Sequence, residues 1–291
     1  MIASLRRVFV IAHNTFTESI RQKVLLLLLL FSLVVIVSAV LFLDLTFDEQ
    51  IKFLKDFSFG AMSVFGVLIA LLGAAQMVQS EIENRTIYTL LAKPVHRAEF
   101  LWGKFLGLLE VIALSLLLMT ALFAVIMAVK ERQLVAFELA QVPAGHAVDE
   151  ATAGRIAEIH RQIRDPQMVK ALALTGAKVC VVASIALLIS TFATSMVFTV
   201  AATLLIYIIG HLEGIAREVW FSGGDPGTVK KIFVSVLAIL IPDFGSFGIL
   251  DDILAGTQVP WAHVGQILGY AAVYLAVVLL ASQAFFNERE L

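Results

Sequence analysis

A compact island of charge, EIENRTIYTLLAKPVHRAEFLWGK, runs from Glu81 to Lys104 and holds the chain's only Gly-Lys pair, Gly103-Lys104. Such a pair raises nucleotide chemistry first, because a P-loop cradles phosphates with glycine-rich backbone, a lysine and a following hydroxyl. Ala98 stands where the first glycine of that motif belongs, and Phe105 where the hydroxyl belongs. The chain therefore has no phosphate cradle of this kind and is not expected to hydrolyse ATP alone. Metal chemistry fares no better: there is no His-Glu-x-x-His, and the six histidines are scattered. His211 has no second His, Cys or carboxylate at ligand spacing, so it reads as an interfacial histidine, and no metal is expected. No aspartate pair lies inside the apolar runs, as an intramembrane aspartyl protease would need. Glu110, Lys178 and His211 are the ionisable groups that an ion-coupled carrier or membrane enzyme would have to use. Glu110 reads instead as a group that snorkels or pairs with Lys104, and Lys178 as one that snorkels to the membrane surface. Ser184, Thr203 and Tyr207 read as polar groups bonding to neighbouring helices. The single cysteine, Cys180, can form no internal disulfide.

The elements that must position these residues are membrane helices. The chain is 60% hydrophobic and only 15% charged, with mean hydropathy +0.93, far from the balance of a soluble domain. A net charge of -2 argues against a nucleic-acid partner, which needs a concentrated basic face. Residues 2–22 predict an amphipathic helix lying in the membrane interface, with Leu5, Val8, Phe9, Ala12, Phe16 and Ile20 on one face. Arg6, Arg7, Asn14, Glu18 and Arg21 take the other. The apolar run that follows, 24–43, is too long for a signal h-region and reads as a retained first span. Further spans are predicted at 57–80, 105–129, 171–190, 195–212 and 264–286. The charge-free run Val179–Leu212 is too long for one crossing and breaks near Ser190–Ser195. Short-loop cations cluster in the N-terminal segment and the 81–104 stretch, whereas 44–56 reads as a short, mostly acidic loop. The positive-inside rule puts the first two in the cytoplasm.

Within 81–104, Thr86–Leu91 predicts a short helix that Pro94 ends, since the residue before a proline leaves the α region. A second helix starts near Arg97 and enters the membrane through Gly103 and Lys104. The pattern Glu81, Glu83, Thr86, Leu90, Leu91, Pro94, Arg97, then Gly103-Lys104, resembles the first cytoplasmic loop of ABC-2 type transporter permeases. It looks most like the branch associated with multicopper-enzyme maturation. One departure is Arg85, where many members carry glycine. The resemblance implies a coupling helix docked in a groove of a separate ABC ATPase subunit, with Glu81, Glu83, Arg85, Thr86, Leu90, Leu91, Pro94 and Arg97 forming the contact. It also implies ATP and Mg in that partner, a second permease copy or paralogue, and a bacterial inner membrane location with a cytoplasmic N-terminus.

The expected fold is thus an all-α integral membrane protein with six transmembrane helices, an N-terminal interfacial helix, a cytoplasmic coupling helix and an outer re-entrant hairpin. The hairpin falls at 232–250, where Pro242-Asp243, Gly245 and Gly248 break an apolar segment. A lipid-exposed break would leave backbone groups unpaired, so it must pack on protein or re-enter on one side; the resemblance implies the latter. Residues 130–170 are expected as an extracytoplasmic cap with turns up to Gly154 and a helix over Arg155–Asp165. That helix has Ile156, Ile159 and Ile163 on one stripe, and Arg161 is able to pair with Asp165. Three Gly-x-x-x-Gly spacings, Gly103/Gly107, Gly210/Gly214 and Gly265/Gly269, permit close helix contact within the bundle or between copies. The expected function is the membrane permease of an ABC exporter; the alternative is the carrier or membrane enzyme built on Glu110, Lys178 or His211.

Overall fold

Charged residues interrupt an apolar run without interrupting a helix, and several helices here are longer than their hydrophobic stretches. The computed structural model describes residues 2–42, 47–83, 96–142, 149–193, 195–221, 241–248, 252–253 and 257–288. Within them all regular structure is helical: α1 (Ile2–Ile20), α2 (Lys23–Ser38), a 3-10 turn (Ala39–Phe42), α3 (Phe47–Glu83) and α4 (Arg97–Ala140) come first. They are followed by α5 (Glu150–Ile163), α6 (Gln167–Phe192), α7 (Met196–Phe221), a second 3-10 turn (Gly245–Gly248) and α8 (Trp261–Glu288). Among the described residues five helical stretches are long and apolar enough to cross a membrane: Lys23–Leu41, Gln50–Met77, Arg97–Ala140, Glu150–Phe192 and Trp261–Phe286. Met196–Leu212, in α7, is a shorter apolar stretch of about 26 Å at 1.5 Å per residue. The chain is an all-α membrane protein.

α3 starts ten residues before the expected span, so most of the 44–56 stretch is helix rather than loop. The reason is periodicity: Ile51 and Leu54 are buried, Phe53 stacks on Phe57 at 5.5 Å between centroids, and Lys52 and Asp56 take the exposed face. α4 likewise continues to Ala140, well past Val129, because 130–140 is rich in helix formers and holds neither glycine nor proline. Its 44 residues measure about 66 Å, roughly twice a hydrocarbon core. The apolar crossing is the 105–129 part, and the remainder stands beyond it. Among the described residues the cap is a helical pair, α4's extension with α5, while 143–148 of the expected turns lie outside them. α5 begins at Glu150, five residues before the expected start. Glu131 on α4 meets His160 (2.6 Å) and Arg164 (2.8 Å) of α5, and Glu138 meets Arg155 at 3.2 Å. Ile159 is the buried member of the isoleucine stripe. Arg161 pairs with Glu158 (3.7 Å), while Asp165 accepts the Gln167 N–H at 2.9 Å and so serves the start of α6.

α6 is the axis of the bundle, with Val179, Val181, Val182, Ala183, Ala186 and Leu187 fully enclosed. It packs on α3 and α8; Gly66 of α3 leaves room for Val179, whose Cγ2 would lie 2.9 Å from an added Cβ. The α6–α7 break falls at 193–195. The segment before α8 returns to the bundle through Phe244, whose N–H donates to Gly210 O at 3.1 Å. A Cβ at Gly210 would meet Pro242 O at 2.5 Å, so only glycine admits this approach. The rest of the expected re-entrant segment, 232–240 with Ile249 and Leu250, lies outside the described residues.

Candidate functional site

The expected coupling contact divides at the edge of the described structure. Arg85, Thr86, Leu90, Leu91 and Pro94 lie outside the described residues, as does the short helix expected at 86–91. Glu81 and Glu83 fall in the last turn of α3. Arg97 is the first residue of α4, and its Nη1 donates to Phe286 O at 3.1 Å. A cation on the carbonyls of a last helical turn, here that of α8, opposes the partial negative charge there. Phe100 adds a stacked contact with Phe286 at 6.0 Å. The start of α4 is thereby bound to the end of α8 beside the 84–95 stretch.

His96 is the N-cap of α4 and forms a capping box with Glu99; the His96 N–H donates to Glu99 Oε2 at 3.4 Å. Glu99 also accepts from Ser4 and pairs with Arg7 Nε at 3.5 Å. The Ser4 hydrogen bond first, with His96 and Arg7 behind it, holds the Glu99 carboxyl below the usual carboxylate range against the opposing effect of burial. One turn on, Lys104, only 3% exposed, meets Glu18 at 3.7 Å and lies 5.7 Å from the Phe100 ring centroid. The expected pairing of Lys104 with Glu110 is not what forms. Six residues on a helix leave the two side chains about 120° apart around α4, and Glu110 is exposed.

Between these polar pairs α1 sits directly on α4. Added Cβ atoms at Gly103 and Gly107 would lie 2.7 Å from Ile11 Cβ and 2.5 Å from Ala12 O. This Gly-x-x-x-Gly pair is thus used inside the bundle. Gly265 and Gly269 meet nothing within 4 Å. The face of α1 that packs is Ala12, Thr15 and Ser19, all buried. Leu5, Phe9 and Ile20 of the expected apolar face are exposed, as a helix lying in an interface requires. Sequence reasoning passed over Arg7, Glu18 and Glu99 as one seat; the His96-x-x-Glu99 spacing was the available signal for its α4 half.

The groups proposed for carrier or enzyme chemistry lie on three different helices. Lys178 is buried in α6 and does not reach the surface as expected. Its charge acts on His211 through space, and His211 is exposed at the end of the apolar part of α7, stacked on Phe244 (5.5 Å) and near Tyr207 (4.5 Å). Glu110 is exposed on α4. Tyr207 bonds to Ser63 of α3, as expected for a polar group between helices. Ser184 and Thr203 instead bond carbonyls of their own helices, Val181 O and Thr199 O, each at 2.7 Å. Among the described residues no three His, Cys, Asp or Glu side chains gather as a metal site.

At the other end of the bundle, α6 holds the chain leading into α8. Gln167 bonds Thr257 O and the Val259 N–H, both at 2.9 Å, and Lys170 Nζ donates to Val259 O at 2.6 Å while lying 5.0 Å from the Trp261 ring.

Residues 9–144 match the family described as ABC-2 family transporter protein. No curated protein matches the chain.

Proposed function

We propose that this chain is the permease subunit of an ABC exporter, driven by a separate ABC ATPase subunit that docks on the 81–104 stretch. In this reading the ATPase binds ATP and Mg, and the permease works with a second copy or a paralogue. The chain lies in a bacterial inner membrane with its N-terminus, the 84–95 stretch and its C-terminus in the cytoplasm. The observation that carries the reading is the family match over 9–144, which includes most of α1 and all of α2, α3 and α4, and so both helices flanking 84–95. Mechanical coupling also needs a contact that does not slip. The ties of Glu99 to Ser4, Arg7 and His96, and of Arg97 to Phe286, supply that stiffness by joining α1, α4 and α8. A push on 84–95 then moves three helices together.

The test is ATP hydrolysis by the purified chain alone and after co-expression with a candidate ABC ATPase subunit. No hydrolysis is expected from the chain alone. The complex should hydrolyse ATP, and Glu83→Lys should lower that rate while the permease remains inserted. Hydrolysis by the chain free of contaminating ATPase, or a normal rate with Glu83→Lys, contradicts the reading.

A further inference from the structure

A cavity of about 710 Å³ opens between α3, α5, α6 and the segment leading into α8. Its volume lies within the usual range for small-ligand sites. Lys52, Lys55, Arg161 and Lys170 line it against two carboxylates, Glu158 and Asp165. Both carboxylates are already engaged. Glu158 accepts from Gln162 at 3.2 Å and meets Arg161 at 3.7 Å, and Asp165 takes the Gln167 N–H. Lys170 is committed to Val259. Lys55 is the telling residue. It is only 4% exposed, and the through-space attraction of Asp165 and Asp56 does not offset the cost of burying its charge. An apolar residue of similar length would satisfy packing there at no desolvation cost, so a buried ammonium on a cavity wall calls for a ligand that uses it.

We propose that this cavity binds a phosphate-bearing anion, with Lys52, Lys55 and Arg161 as its cationic contacts and Trp261 as its apolar wall. Lys52 and Lys55 precede the apolar run of α3, Lys170 precedes that of α6, and Trp261 opens α8. Three helices thus start at one level, the headgroup level where tryptophan concentrates. The phosphate arrives either on an anionic phospholipid or on a soluble phosphate compound; the cationic chemistry is the same. The inference does not rest on the ATPase reading, because none of the residues lining the cavity belongs to the 81–104 stretch.

Trp261 supplies the readout. The full-length chain carrying Trp102→Phe and Trp220→Phe keeps it as the sole tryptophan. In phosphatidylcholine nanodiscs its emission is followed while phosphatidylglycerol is raised in one arm. In the other arm, inorganic phosphate is titrated at constant ionic strength. A saturable change is expected in at least one arm, and the arm that responds names the source. Lys52→Gln with Arg161→Gln, both exposed positions, should weaken that response at least tenfold. Lys130→Gln with Arg132→Gln on the extension of α4 should not. Lys55→Gln should also abolish it where its melting temperature is unchanged; should it fail to fold, the exposed pair decides. No saturable response in either arm, an undiminished response in the Lys52/Arg161 variant, or an equal loss in the Lys130/Arg132 control overturns the proposal.

Discussion

Gly107→Ala adds one methyl group where the chain has least room for it. The new Cβ would sit 2.5 Å from Ala12 O and 2.7 Å from Thr15 Cβ, closer than such atoms pack. One of these is backbone, so the clash cannot be relieved by turning a side chain; α1 must move off α4. Overpacking of this kind costs about 1–3 kcal/mol, while replacing a helical glycine by alanine returns up to about 1 kcal/mol. The net loss is of order 1–2 kcal/mol, a melting-temperature drop of roughly 2–8 °C for a chain of this size. Gly269→Ala is the control, since nothing lies within 4 Å of its added Cβ and only the propensity gain remains. Thermal unfolding of both variants in the same detergent compares them directly. In addition, a cysteine at His13, exposed on α1, reports detachment through altered labelling. Equal melting temperatures for the Gly107 variant and the parent, with unchanged labelling, would refute the seat.

The remaining expectations concern the far end of the molecule. Burial alone would raise the Glu131 carboxyl, but His160 and Arg164 outweigh it and hold it below its ordinary value. A lowered folded-state value means that the stabilisation is full above the unfolded carboxylate pKa of about 4.3 and lost as pH falls through the lower folded value. Proteolysis of the 143–149 connection should therefore accelerate below about pH 4, and Glu131→Gln should remove that acid dependence. Because Arg164 is 70% exposed, the variant should cost about 1 kcal/mol at most. Lys170→Met removes the bond to Val259 O and the contact with the Trp261 ring, so acrylamide should quench Trp261 more strongly than in the parent. Unchanged quenching would mean that Gln167 alone holds this segment.

Periodicity was the most readable layer of this chain. The amphipathic pattern of 2–22 and the charge-free run after Val179 mark α1 and the α6–α7 hairpin, because apolar spacing is a local property. Helix ends at charged stretches were not legible. Ile51 and Leu54 extend α3 through the acidic segment, and 130–140 extends α4, because a helix tolerates charges on one exposed face. Partner choice was equally hidden. Lys104 binds Glu18 rather than Glu110, Lys178 turns inward, and Gly103/Gly107 seats α1, since each outcome depends on which helices become neighbours. The cavity joins Lys52 and Lys55 to Arg161 over more than a hundred residues of sequence, a separation that no local spacing reveals.

The central claim is that the 81–104 stretch carries the ATPase, and Leu90→Asp tests it most directly. A carboxylate introduced into an apolar groove without a partner costs several kcal/mol, enough to release a subunit held at micromolar affinity. The measurement is co-purification of the ATPase with tagged permease, parent against variant, at equal permease yield and equal membrane insertion. Loss of the ATPase from Leu90→Asp, with Glu83→Lys retaining part of it, is the predicted result. Undiminished recovery of an active ATPase with Leu90→Asp would contradict it.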